Sequence, residues 1–128
     1  MSKFSDYLEN KIIDATLKGV TFPTISTAYL AAFTTDPTDA GSGTECNWTN
    51  YARQAMTFGT VTNGESTTSA QLQFPALVGS DVTVGWIGIF DATSAANMLY
   101  HTNLANAKTL TADDVLSFAV SGVTVTLS

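Results

Sequence analysis

Thr83-Val84-Gly85-Trp86-Ile87-Gly88-Ile89-Phe90-Asp91, Ala92-Thr93-Ser94-Ala95-Ala96-Asn97 and Met98-Leu99-Tyr100-His101-Thr102 form the continuous stretch whose reading decides the fold. The first run is apolar almost throughout and is broken only by Gly85 and Gly88. The last is short, aromatic and β-prone. A polar, small-residue connector opened by Asp91 joins them. Two β-prone runs about a turn-forming segment predict a hairpin, with a loop longer than the two-residue ideal. The first run lacks alternation, the pattern of a central strand buried on both faces. Gly85 and Gly88 would let neighbouring side chains or backbone lie close.

Toward the N-terminus, Ala28 to Thr34 predicts another interior strand. Tyr29, Ala31 and Phe33 point one way, Leu30 and Ala32 the other, and both sets are apolar. Thr35 to Asn47 is a long loop, with turn chemistry in Asp36-Pro37 and Gly41-Ser42-Gly43. In Trp48 to Phe58, Ala52, Met56 and Phe58 are expected to face inward and Arg53 and Thr57 outward. Arg53 has Asp36, Asp39 or an acidic group across an interface as its partner, and an exposed pair of that kind is worth about 0–1 kcal/mol. Asn63-Gly64 is a strong turn signal. Leu72 and Phe74 alternate with Gln71 and Gln73 until Pro75 ends the strand. Ala76 to Val82 connects to the central hairpin.

Beyond the hairpin, Asn103 to Thr111 reads as a polar connection with a short edge strand at Lys108-Thr109-Leu110. Asp113-Asp114 turns the chain into Val115 to Val120. Ser121-Gly122 turns it again into Val123 to Leu127. About eight short strands with turn signals between them predict an antiparallel β-sandwich, jelly-roll or Greek-key. Strands and helices do not alternate, which argues against a doubly wound α/β fold.

One amphipathic helix precedes the strands, over Ser2 to Lys18. Ser5 or Asp6 can cap it, and Asp6 with Glu9 has capping-box spacing. Phe4, Leu8, Ile12 and Ala15 form one stripe, widened by Ile13 and Leu17. Gly19 supplies the stop. The helix either covers one end of the β-domain or docks on a neighbouring subunit. The organisation expected is an arm over 1–19 and a β-sandwich over 20–128, one globular domain overall.

Charged residues make up 12% of the chain, against roughly 25% in a typical soluble protein. Ser, Thr, Asn and Gln take their place. A net charge of −6 argues against nucleic acid or anionic membrane as a partner and serves solubility. Cys46 is the single cysteine, so no intrachain disulfide forms. Neither a signal-peptide core nor a membrane-length apolar run is present, and the chain is expected to be made in the cytoplasm.

The residues assemble no active site. Any Ser-His-Asp or Cys-His pair must use His101, which sits on a predicted strand as a hydrogen-bonded or exposed side chain. Cys46 has no basic neighbour to lower its pKa. Zinc needs more Cys and His ligands than the chain owns, Asp36, Asp39 and Glu45 do not have calcium-loop spacing, and Gly41-Ser42-Gly43 lacks the lysine of a phosphate loop. Neighbouring Asp113 and Asp114 point apart. Trp48 and Tyr51 suit core or interface packing better than a carbohydrate surface. No enzyme activity, cofactor or metal is expected.

Gly88-Ile89-Phe90-Asp91-Ala92 with Met98-Leu99-Tyr100-His101 resembles a family of small phage structural proteins commonly labelled tail-fibre-like. Tyr29 to Glu45 and Tyr51-Ala52-Arg53-Gln54-Ala55-Met56-Thr57-Phe58-Gly59 extend the resemblance over most of the chain. It implies a virion structural subunit that works by contact. The first expectation is a capsid decoration or cement protein bound to the major capsid protein. The chain ends right after its last strand, leaving nothing for a shaft or a receptor-binding tip. The second is a tail-fibre or tail-tip component, an adaptor or glycan binder among tail proteins. A small sugar-binding or hydrolytic sandwich is the third. A homo-oligomer, trimeric by analogy, is expected, with Phe4, Tyr7, Leu8, Asp36, Asp39, Trp48 and Arg53 as contact candidates.

Overall fold

In a computed structural model describing residues 3–127, the chain runs β1 (Lys3–Phe4), α1 (Asp6–Leu17), β2 (Ala28–Phe33), β3 (Gln54–Met56), β4 (Glu65–Thr67), β5 (Leu72–Gln73), β6 (Val82–Phe90), β7 (Met98–Leu110), β8 (Ser117–Phe118) and β9 (Thr124–Thr126). The predicted hairpin forms: β6 pairs antiparallel with β7, from Phe90 opposite Met98 to Val82 opposite Leu110. β2 takes the other edge of β6, and the five-stranded sheet has the order β1-β7-β6-β2-β3. β6 and β2 are thus interior, as two-sided apolar strands must be. β2 sends Leu30 and Ala32 into one cluster and Ala31 and Phe33 into the other.

Two antiparallel ribbons, β4–β9 and β5–β8, complete the β structure. Leu72 of β5, with Phe74, Leu116 and Val123 next to the ribbon strands, shares one core with Leu30, Ile87, Ile89 and Leu99 of the sheet. The chain is therefore mainly β and antiparallel, with a five-stranded sheet packed on two small ribbons and one N-terminal helix. Sheets of five, two and two strands form among the described residues, where the sequence left jelly-roll and Greek-key topologies open.

The opposite face of the sheet carries Phe33, Phe90 and Met98. Gly88 is its floor: a Cβ there would lie 3.1 Å from the Phe33 ring and 3.2 Å from the Phe90 ring. The 34–46 loop crosses this face with Pro37 buried and Gly41 beside Met98. Gly85 has a different role from the close approach expected of it, since nothing lies within 4 Å of its Cβ position. Val84 pairs with Lys108 and Trp86 with Asn103, so Leu104 to Ala107 form a bulge opposite Gly85. This irregularity places Val84 in the same cluster as Ile87 and Ile89, a parity that a regular strand forbids.

Three expectations are corrected. Asn103 to Thr111 is not a connection, because β7 continues to Leu110; its polar side chains are those of an exposed edge, and Asn103 and Ala105 to Thr109 are exposed. In Trp48 to Phe58 only Gln54–Met56 is strand, Ala52 is exposed, and Arg53 is turned in by an ion pair described below. The helix begins at Asp6 with Ser5 as its cap, the Ser5 hydroxyl accepting from the Leu8 N–H at 3.2 Å. The expected start at Ser2, like Ser128 at the far boundary, lies outside the described residues. Phe4 belongs to β1. Of the predicted stripe Leu8 is buried, whereas Ile13 and Leu17 are 52% and 79% exposed. Gly19, at φ +69°, ends the helix as predicted. Asn63 and Gly64 both take positive φ between mutually bonded Thr62 and Glu65, the geometry of a type I′ turn.

Candidate functional site

The first gathering of side chains is a latch around Glu45. Its backbone bridges to Phe33 at the end of β2. Arg53 Nη2 donates to Oε1 at 2.8 Å and Nε to Oε2 at 3.0 Å, a bidentate pair. Arg53 Nη1 donates to the Ala92 carbonyl at 3.0 Å, tying the β6–β7 connector to β3. The guanidinium lies 3.8 Å from the centre of the Phe90 ring. Arg53 thus pairs with Glu45, not with Asp36 or Asp39. The Tyr51 hydroxyl donates to Glu45 Oε2 at 2.7 Å and accepts from the Ala32 N–H at 3.0 Å. Burial, aided by the Glu45 charge and opposed by the Ala32 N–H, holds the Tyr51 phenol well above its ordinary range.

The aromatic residues beside the latch belong to the core. Trp48 is buried, meets Tyr51 edge-on at 5.0 Å and donates from Nε1 to the Pro75 carbonyl at 3.2 Å. Tyr51 stacks on Phe74. Cys46 is buried too, and burial first, then the Glu45 charge, pushes its thiol up to about 11. An open cleft of about 490 Å³ and mixed lining lies alongside, bounded by Asn47, Ala52, Arg53, Thr93 and Ala95 among others.

The second gathering seats the N-terminal arm. The Ser5 N–H donates to the Leu99 carbonyl at 3.0 Å, the Ser5 hydroxyl to the Met98 carbonyl, and the Asp6 N–H to the Asp39 carbonyl at 2.9 Å. His101 is buried and its Nε2 lies 2.7 Å from Asp39 Oδ1. Phe4 meets Tyr100 edge-on at 5.5 Å. Among the described residues no serine, threonine or cysteine side chain hydrogen-bonds to His101, so the pair fastens the 36–39 loop to β7.

The structure places each of the contact candidates. Leu8 and Trp48 are buried within the chain, and Arg53 is spent on Glu45. Asp39 is half-exposed but engaged by His101. Asp36 is exposed and its carboxylate accepts from the Thr38 N–H at 2.9 Å, closing a local turn. Phe4 and Tyr7 are half-buried, with Lys11 Nζ 5.7 Å from the Tyr7 ring centre. The candidates spread over the fold and make no single patch.

Sequence reading missed a third feature, an apolar groove of about 300 Å³ between the sheet and the β4–β9 ribbon. Ile89 and Leu99 line it from the sheet, Phe58 and Val125 from the other side, and Val61 and Leu127 at its exposed rim. The available signal was Val61 and Leu127, large aliphatic residues in an otherwise Thr-rich surround near the Asn63-Gly64 turn.

Alkaline pH reads the burial of the acidic side chains directly. Burial raises Cys46 from 9.0 to about 11 and lifts Tyr51 and Tyr100 above the ordinary 10.0 of a phenol. Such groups favour the folded state fully below their unfolded pKa and lose that contribution as pH rises toward the folded value. The melting temperature is expected to be insensitive to these groups up to pH 9 and to fall between pH 9 and 11; a flat profile over that window would contradict their burial.

No curated protein matches the chain. A family model described as Podophage GP4 fiber I protein gp80 matches residues 3–126, nearly the whole length. With that match the resemblance noted in the sequence becomes membership: the chain belongs to this family of phage fibre structural proteins.

Proposed function

We propose that the chain is a tail-fibre component that joins other virion proteins through protein–protein contact and carries out no turnover. The family match over residues 3–126 carries this reading. It favours the second expectation from the sequence over the first, because the family's description names a fibre and nothing specific supports capsid decoration. The arrangement of side chains agrees with work by contact. The one histidine fastens a loop, the one thiol is buried and held neutral, and an apolar groove lies open beside the β4–β9 ribbon. Partners are other tail proteins and further copies of the chain. Among the described residues no helix is long and apolar enough to cross a membrane.

Cryo-electron microscopy of the particle tests the assignment. Density for the chain confined to a few copies at the tail is expected. Many copies over the head lattice would return the capsid-decoration reading.

A further inference from the structure

We propose that the apolar groove beside the β4–β9 ribbon receives the C-terminal end of α1 from a second copy of the chain. The groove holds about 300 Å³, about twice the ~150 Å³ of an apolar cavity that accommodates a benzene ring. No α1 residue of the same chain lines it. Among the described residues its only charged lining residue is Glu65, whose carboxylate accepts from the Thr126 hydroxyl at 3.0 Å.

The occupant is chosen by shape and charge together. Ile13 and Leu17 are 52% and 79% exposed and, four residues apart, share one edge of the helix. Val20, just past the helix, is 46% exposed. Over residues 3–18, Lys3, Lys11 and Lys18 balance Asp6, Glu9 and Asp14. The remainder has Arg53 and Lys108 against eight carboxylates, and so carries the whole net charge of −6. Two β portions therefore repel each other. The arm is the segment that brings exposed aliphatic side chains without adding to that repulsion. The other exposed aliphatics, Val78, Val115 and Val120, all lie on the acidic portion. Lys18, 66% exposed next to Leu17 and 3.5 Å from Asp14 Oδ1 in the single chain, is the cation that would turn to Glu65 at the groove.

Helix end and groove are different patches of the same surface, so the contact is heterologous and can repeat from copy to copy in a ring or a filament. The proposal deepens the fibre reading, from which it takes a second copy as the partner.

Light scattering of the purified chain across concentrations tests it. Association is expected, and Leu17→Asp is expected to weaken it about tenfold or more. Val61→Asp, at the groove rim and 71% exposed, is expected to do the same. Both sites are exposed, and unchanged circular dichroism would confirm that both variants fold. Mixing the two restores a dimer and nothing larger, because one variant keeps an intact groove and the other an intact helix edge. A chain that stays monomeric at its highest soluble concentration, association indifferent to Leu17→Asp, or a mixture that stays monomeric each overturns the proposal. Particle maps judge the fibre reading separately. Tail density with a monomeric purified chain would remove the helix-in-groove contact and leave the fibre; head density with Leu17-dependent association would do the reverse.

Discussion

Replacing Arg53 by methionine is expected to lower folding stability by about 2–4 kcal/mol, read as a lower urea midpoint at unchanged slope. Methionine keeps an unbranched stem for packing near Phe90 but removes the guanidinium. Among the described residues Glu45 then keeps only the Tyr51 hydroxyl on its carboxylate, and the Ala92 carbonyl loses the Arg53 donor. The Arg53 and Glu45 side chains are 12% and 25% exposed, so water compensates incompletely for the stranded charge. The range is set below the roughly 3–5 kcal/mol of a fully buried pair for that residual exposure. Adding Glu45→Gln is expected to recover part of the loss, since it removes the charge that the first substitution orphaned; a cycle of the two reads the coupling. A loss within about 1 kcal/mol for Arg53→Met alone would make this pair equivalent to an ordinary surface ion pair and would deny the latch its role in holding the β6–β7 connector.

That latch shows where sequence reading stops. Features set by neighbours in the chain were legible. The apolar run of β6 and the β-prone residues after Asn97 gave the hairpin, Gly19 the end of the helix, Asn63-Gly64 a tight turn, and the two faces of β2 its interior place. Each depends on local periodicity or on a residue suited to positive φ. The contacts that fasten one segment to another were not legible. Arg53 had several carboxylates within reach of its loop, and only the bridge between Glu45 and Phe33 selects among them. His101 and Asp39 are 62 positions apart, a pairing that no spacing rule supplies. β7 was cut short in the sequence because its later part, which has no partner in β1 and is interrupted by a bulge, has the composition of a loop. Trp48 and Leu8 looked available as contacts because hydrophobicity does not say whether the covering surface belongs to the same chain or to another. For a protein that works by contact, that ambiguity falls on the functional surface itself, which is why the groove was missed while the hairpin was found.

Phe74→Ala is expected to be the most damaging of these substitutions, with a loss of about 3–5 kcal/mol by the transfer and cavity terms for a buried phenylalanine. Phe74 is 2% exposed and stacks on Tyr51 at 5.8 Å between ring centres. Its N–H donates to the Leu116 carbonyl at 2.9 Å, and the carbonyl of the next residue, Pro75, receives the Trp48 indole. The β5–β8 ribbon pairs only Leu72 with Phe118 and Gln73 with Ser117. Two pairs of residues cannot hold a ribbon in place through their own ladder, so its position rests on the side chains it buries against the sheet. Removing the ring opens a cavity beneath Tyr51, whose hydroxyl also serves Glu45, and the damage should therefore reach the latch: Phe74→Ala and Arg53→Met are expected to cost less together than the sum of their separate losses. Leu17→Ala, at a side chain 79% exposed in the single chain, is the control and should move stability by no more than about 0.5 kcal/mol. A Phe74→Ala loss below about 1 kcal/mol in denaturant unfolding would mean that the ribbon does not pack on the sheet in this way. Strict additivity with Arg53→Met would mean that the stack on Tyr51 transmits nothing to the Glu45 carboxylate.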